Sequence, residues 1–494
     1  MNGPRNVTDC AHIMTSCLPL LGVLAGGLGG QTHSVVVDTS TTIVERFMGV
    51  GVQWDPYAYQ PSPAAWKLTC DRLDHMRPAL FRIMWGADPY WLGNDASGRP
   101  RYVWSESEAA ADARLQPLYP LLDYAESRKI DVMLGEWGPP GALSGPGDPR
   151  WARIIADFVA YLTGKKKYTV IKYYNYMNEP NGHWMWPGGK VDYDAWAAGI
   201  RHMRREFDSH GLAWLPITGP DNSWDWDWID LCARELREEI GAWEMHWYAA
   251  DHDVTGGGIE KLLTEKRRVL LDTDPRAASK PLFMGECGMI EGRCNGDQQP
   301  RVKDFVYGVL MADYVAQVAR AGWMGAIAWD LDDAMHEVGG RGHPVPPEPL
   351  TLKIWGFWNT QGSNMGHPED EAVRPWYYTW SLMGRLFPKG ARIVKAVEGP
   401  EAGVRTMAAE WSEGKDRHLS VMLVNDSDHA RDISLRVAGA GSRTLAVYRY
   451  FDKDRPADAN GYPMPSVTIP AADLSKGLSV SLPSRGVVFL TTAR

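Results

Sequence analysis

Eight apolar runs of strand length, separated by stretches with helical periodicity, pace this chain from Phe47 to Phe387. The runs cover 47–54, 80–85, 132–137, 170–177, 215–219, 243–247, 282–285 and 325–329. Helical patterns follow at 63–75, 109–127, 151–162, 193–210, 230–239, 259–272, 303–321 and 374–387. The first of these helices is punctuated at its start, with Ser62 as N-cap and Pro63 at the first helical position. Near-continuous apolar runs fit strands buried on both faces, as a parallel sheet wrapped by helices requires. Eight such strand–helix units close into a (β/α)8 barrel, an α/β fold of TIM type.

After Pro388 the texture changes. Short alternating runs at 391–397, 404–410, 418–424, 432–437, 443–450, 478–482 and 486–492 are divided by Gly, Asp and Pro turns, and helical patterns stop. That predicts a C-terminal β-sandwich. The early stretch 34–37 also reads as a strand and is expected to cross over and pair with the sandwich. The chain is thus divided into 1–30, a leader; 31–43, a segment pairing with the sandwich; 44–388, the barrel; and 389–494, the sandwich.

The leader reading rests on Arg5, the apolar run 18–25 and the small residues 26–30, a pattern too short to span a membrane and suited to cleavage after export. No later segment holds eighteen uninterrupted apolar residues, so no membrane span is expected, and the protein is read as secreted or periplasmic. A net charge of −9, with no basic block beyond Lys165-Lys166-Lys167, excludes nucleic acid as an expected partner. Cys287 and Cys294 flank a Gly-containing loop and either bridge locally or remain thiols, with Cys70 and Cys232 elsewhere. No Cys or His pairs stand at zinc-ligand spacing, and His336, His343 and His367 are irregularly spaced, so no metal is expected. Tryptophan is the compositional outlier at 23 copies, many beside Gly, Pro, Asp or Asn. Some fill the core, and the loop-borne ones offer flat faces suited to sugar rings.

In a barrel of this type chemistry sits at the C-terminal ends of the strands. Those ends read Trp54-Asp55, Arg82 with Trp85, Glu136-Trp137, Asn178-Glu179, Asp221-Asn222, His246 with Tyr248, Glu286, and Trp329-Asp330. No phosphate-binding glycine loop or nucleotide fingerprint is present, so no cofactor is expected. Two carboxylates, Glu179 before Pro180 and Glu286 before Cys287-Gly288, close apolar runs. A carboxyl pair is the minimum equipment for splitting a glycosidic bond, one protonating the leaving oxygen and the other attacking the anomeric carbon or activating water.

These motifs resemble glycoside hydrolase clan A, the (β/α)8 retaining glycosidases with the acid/base on strand 4 and the nucleophile on strand 7. Tyr176-Met177-Asn178-Glu179-Pro180-Asn181 resembles the strand 4 motif of families 5, 30 and 39, and Met284-Gly285-Glu286-Cys287-Gly288 the strand 7 signature of family 5. His246-Trp247-Tyr248 matches the His-x-Tyr of strand 6, Trp329 the platform tryptophan of strand 8, and Arg82 the arginine of strand 2. Strand 3 departs from family 5 by ending in Glu136-Trp137 instead of a histidine, and the sandwich is closer to families 30 and 39. The resemblance implies Glu179 as acid/base and Glu286 as nucleophile, with Asn178 on the sugar 2-hydroxyl and Trp329 beneath the sugar. Arg82 and Tyr248 would favour the Glu286 carboxylate through charge and hydrogen bonding. His246, Trp137, Asn222, Trp54 and Trp184 complete the expected substrate-binding set. Glu136, Asp330, Asp332 and Asp333 are expected at the rim or in solvated loops.

Three long loops, 181–192, 287–301 and 330–370, are expected to wall a pocket, which favours removal of terminal, β-linked sugars. The expected function is a retaining glycosidase acting on an oligo- or polysaccharide or a glycoside. A transglycosylase using the same intermediate and a non-catalytic carbohydrate-binding barrel share the scaffold; the latter should have lost a carboxylate that this chain keeps.

Overall fold

The computed structural model describes residues 32–182, 186, 189–294, 296–338, 351–400 and 403–493. The leader pattern, Trp184 and His343 lie outside the described residues. Strands Gly49–Gln53, Leu80–Met84, Asp131–Gly135, Ile171–Asn175, Ile217–Ser223, Ile240–Ala249, Leu282–Met289 and Gly325–Ala328 close, in that order, into a parallel barrel. They are strands 1 to 8 below.

The barrel interior is layered. Leu80, Met133, Ala242, Phe283 and Ile327 form an apolar floor, with Met48 and Tyr173 packed against it. Polar side chains lie above. Two glycines make room for them. A Cβ on Gly135 would stand 2.7 Å from the Cβ of Asn175, and one on Gly285 2.2 Å from Oε2 of Glu244.

Two bulges then re-aim the strands at the mouth. Strand 7 pairs Met284 with Met245 and Glu286 with His246, so Gly285 is an extra residue in its ladder. Gly285 and Phe283 already face inward; the bulge turns Glu286 inward as well. Strand 5 does the same at Asp221, where Pro220 and Asn222 face consecutive residues of strand 6 and Asp221 adopts a φ of 59°.

The helix Phe305–Arg320 is buried on all sides, because it lies between barrel and sandwich. Across that junction Arg320 pairs with Glu398 at 2.8 Å, Arg405 with Asp313, and the Tyr450 hydroxyl donates to the Phe305 carbonyl at 2.8 Å. The sandwich has its own apolar core, including Val35, Val37, Leu423, Leu435 and Leu490. Its strands join in a single nine-strand ladder that includes His33–Val44, antiparallel to Arg392–Glu398 and parallel to Arg431–Val437.

Some local expectations differ. The pattern over 109–127 is two helices, Glu108–Leu115 and Tyr119–Arg128, with Pro117 and Pro120 marking the break and the restart. The helix expected at 230–239 starts earlier and stops sooner, at Asp227–Glu235. Val467–Asp473 is an additional strand at the sheet edge, where its Pro470 is tolerated. Cys70, Cys232, Cys287 and Cys294 are all unbridged. No helix among the described residues is long and apolar enough to cross a membrane.

Candidate active site

Arg82 organises the mouth of the barrel. Rising from strand 2 and wholly buried, it donates from Nη1 to Glu286 Oε1 and Gln53 Oε1, both at 2.5 Å. From Nη2 it donates to Asn178 Oδ1 at 2.7 Å and to the Asp221 carboxylate at 3.1 Å. One guanidinium thus ties strands 1, 2, 5 and 7 and the loop after strand 4. A buried arginine offers donors in a fixed fork, so it sets the positions of the carboxylates as well as their charge.

Glu286 receives a second hydrogen bond, from the Tyr248 hydroxyl to Oε2 at 2.6 Å. Burial lifts the Glu286 carboxyl above its ordinary range; His246 and Arg82 pull it down, and the Tyr248 hydrogen bond adds to them. The expected support from Arg82 and Tyr248 is therefore in place, working against desolvation.

Glu179 sits just past strand 4 with a left-handed φ of 41°. Its own N–H donates to Asp221 Oδ2 at 2.9 Å, which fixes this uncommon backbone. His246 Nδ1 stands 3.1 Å from Glu179 Oε1 and 3.5 Å from Glu286 Oε2. Oxygens of the two glutamates and the histidine nitrogen all lie within 4.8 Å of one another.

On its other side His246 Nε2 meets Asp221 Oδ1 at 2.9 Å. Burial opposes charge on this ring, but Asp221 and Glu286 outweigh it, and the imidazole holds its proton well above the usual histidine range. Both ring nitrogens are then donors. Asp221 is held ionised by Arg82 and His246 against its burial.

Beneath this pair lies Glu244, fully buried, accepting from Asn175 Nδ2 at 3.3 Å. Burial and the Asp221 charge raise its carboxyl well above the ordinary range, and its Oε2 lies 3.9 Å from His246 Nε2. Asp221, Glu244 and His246 also bring ligand atoms within 4.8 Å of one another, and so could hold a cation. Arg82 and protonated His246 already supply positive charge at both clusters.

On the strand 8 side, Trp329 is nearly buried, with Trp137 set edge-on at 6.1 Å and His336 stacked on it at 4.9 Å. His336 Nε2 stands 3.1 Å from Asp55 Oδ2, and Asp55 in turn accepts from Gln53 Nε2 and the Met84 N–H.

The structure thus gathers Arg82, Asn178, Glu179, His246, Tyr248 and Glu286 into one network, with Trp329 and Trp137 beside it. Two expected substrate contacts are corrected. Trp54 points outward from strand 1 into the helix layer, wholly buried against Trp66, Phe81 and Tyr124. Asn222 is buried and its amide donates to the Asp225 carbonyl at 2.5 Å, bracing a loop. Glu136, Asp330, Asp332 and Asp333 are also buried, not at a solvated rim. Glu136 accepts from Tyr90 and Tyr174 between strands and helices. Asp333 is paired with Arg374, and Asp332 accepts from the Tyr57 hydroxyl.

Gln53, Glu244 and the Asp55–His336 pair were missed. Glu244 shares the inward face of strand 6 with His246 and Tyr248, two and four residues on, so alternation could have found it.

No protein-family model matches the sequence, and no curated protein matches it. Solved structures do. A family 51 α-L-arabinofuranosidase from Thermotoga petrophila aligns over 94% of this chain and 100% of its own at 13% identity, with a TM-score of 0.66. A family 30 endoxylanase from Clostridium papyrosolvens aligns over 93% and 100% at 13% identity and a TM-score of 0.64. A monomeric β-xylosidase from Caulobacter crescentus aligns over 93% and 99% at 14% identity and a TM-score of 0.62. At this identity the likeness is one of architecture: barrel and sandwich together, the chain has the fold of the clan A glycoside hydrolases.

Proposed function

We propose that this protein is a glycoside hydrolase that cleaves O-glycosidic bonds by double displacement, with Glu286 as nucleophile and Glu179 as acid/base. The observation that carries the reading is the approach of the two glutamates to within 4.8 Å, oxygen to oxygen, at the barrel mouth. Retaining enzymes hold their carboxyl groups about 5–5.5 Å apart, whereas inverting enzymes need about 6.5–9.5 Å to admit water. The fold, shared with xylanase, xylosidase and arabinofuranosidase structures, supports a carbohydrate substrate.

The roles follow from the surroundings. Glu286 is the better nucleophile because Arg82 and Tyr248 hydrogen-bond both of its oxygens in the ionised form. Glu179 is the more open of the two, with a side chain 12% exposed against 5% for Glu286, as a group that meets the leaving oxygen and later water should be. Asn178, fixed by Arg82, stands where it can bind the sugar 2-hydroxyl. Trp329, Trp137 and His336 pack on one another into an aromatic wall, which favours release of a terminal sugar.

A panel of aryl xylosides, arabinofuranosides and glucosides, run beside polysaccharides, identifies the glycone. With that substrate, Glu286→Ala should abolish turnover, and azide should restore it with an inverted glycosyl azide. Glu179→Ala should let the glycosyl-enzyme accumulate from a good leaving group, and azide should release it with retained configuration. Inverted azide product from Glu179→Ala would swap the roles, and indifference to both changes would overturn the reading.

A further inference from the structure

We infer that Trp224 forms the stacking platform of a subsite for the leaving-group sugar, on the acid/base side of the cleft. The inference rests on the glycosidase reading above and adds a binding surface to it.

Trp224 follows strand 5 and is 56% exposed; Trp214, before the start of that strand, is the other strongly exposed tryptophan among the described residues, at 53%, whereas Trp54, Trp151, Trp196, Trp243, Trp323 and Trp376 are wholly buried. It has a left-handed φ of 48°, uncommon for a bulky residue. The Asp225 N–H donates to the Ser223 carbonyl at 2.6 Å, so Trp224 is the apex of a three-residue turn of the strained γ kind. Such strain persists only where the surroundings over-determine it. Here they do. The Ser223 N–H donates to Asn181 Oδ1 at 3.0 Å, the Asn181 amide donates back to the Ser223 carbonyl, and Asn222 holds the Asp225 carbonyl. On the far side Trp226 rests on Trp247 with centroids 5.1 Å apart.

Position gives the turn its meaning. Asn181 is two residues beyond Glu179, so its side chain bolts the Trp224 turn to the loop that bears the acid/base. Ser223 lies opposite His246 in the ladder, which puts Trp224 one residue above the layer where His246 meets Glu179. The proton from Glu179 goes to the glycosidic oxygen, so the departing group leaves past this loop. An indole held there meets the C–H face of the first sugar on that side. Asn222, whose amide is committed to the Asp225 carbonyl, is explained as a brace of the platform.

The test compares leaving groups on one glycone. Wild type, Trp224→Ala and Trp224→Phe are assayed on xylosyl and glucosyl fluorides and on xylobiose and cellobiose, and melting is followed to confirm folding. Trp224→Ala should lower kcat/KM on the disaccharide about tenfold while the loss on the fluoride stays below about twofold. Trp224→Phe should recover most of the disaccharide rate. In reactions with added xylose or glucose, Trp224→Ala should also shift capture of the glycosyl-enzyme from sugar towards water. Equal losses on fluoride and disaccharide, or none on either, would overturn the platform while leaving the glycosidase reading intact. A wild-type protein inert on all four substrates and on the aryl panel would overturn both.

Discussion

The two halves of the barrel mouth hold similar numbers of acids and treat them in opposite ways. Towards strands 4 to 7, Glu179, Asp221 and Glu286 share Arg82 and a protonated His246, and every one of them accepts hydrogen bonds. Towards strands 8 and 1, Asp330 is fully buried, neither of its carboxyl oxygens accepts a hydrogen bond among the described residues, and its neighbours Asp332, Asp333 and Asp55 are acids too. Burial, reinforced by those neighbours, pushes Asp330 well above the ordinary carboxylate range, and Asp332 is raised to about 6. Acids held by donors around a shared opening can do chemistry; an acid kept neutral beneath a loop, as Asp330 is, can only shape it. Residue type does not separate the two halves. The cation does.

Removing that cation should have the largest effect. Arg82→Met should lower kcat/KM at pH 7 by on the order of 10³-fold, since breaking a buried pair costs about 3–5 kcal/mol. Arg82 favours the ionised Glu286, so its loss raises that carboxyl, and the acidic limb of the kcat/KM profile should move to higher pH. A limb that stays in place would mean that Arg82 only positions.

Arg374 is the matching arginine of the other half, buried and paired with Asp333. Arg374→Met should cost about 3–5 kcal/mol in denaturant unfolding. Rates per folded molecule should keep the wild-type pH limb, and a shifted limb would erase the contrast.

Trp137→Ala should raise KM for an aryl glycoside about five- to tenfold, worth roughly 1 kcal/mol of stacking. Trp54→Phe should lower the melting temperature and leave KM unchanged. An increase in KM for Trp54→Phe would restore it to the site.

The smallest effect belongs to Asp330→Asn. A carboxyl raised in the folded state costs nothing below its unfolded value. Stability is then lost as pH rises from that value towards the folded one. The neutral amide should raise the melting temperature by about 2 °C at pH 8 and give no gain at pH 3. A gain equal at both pH values would show that the acid is not held neutral.

The barrel was legible because a parallel strand buried on both faces leaves an apolar run. The glutamate pair was legible because Asn-Glu-Pro and Gly-Glu-Cys-Gly stop such runs abruptly. Inward or outward direction was not. Gln53 faces the cleft, so Trp54 had to face the helices, and alternation along strand 1 would have said so. The same rule would have turned Glu286 outward, since Gly285 already faces in; only the bulge, invisible in sequence, reverses it. Asp221 was visible at a strand end beside Asn222, but its meeting with Arg82 and His246 depends on the bulge that turns it into the barrel. Arg374 with Asp333, and His336 with Asp55, join residues from separate loops, and no local pattern announces such pairs.

The strand His33–Val44 places Val35 opposite Glu398. During synthesis at about 5–20 residues per second, that strand leaves the ribosome tens of seconds before the partner that completes it. Meanwhile Val35 and Val37 have no sheet to enter, and the whole barrel must form between two halves of one ladder. A gene fragment cut at Pro388 would therefore leave an orphaned edge at its beginning, and a fragment starting there would lack an interior strand. The sandwich thus joins strands from both sides of the barrel in sequence, a clasp whose two parts are made at different times.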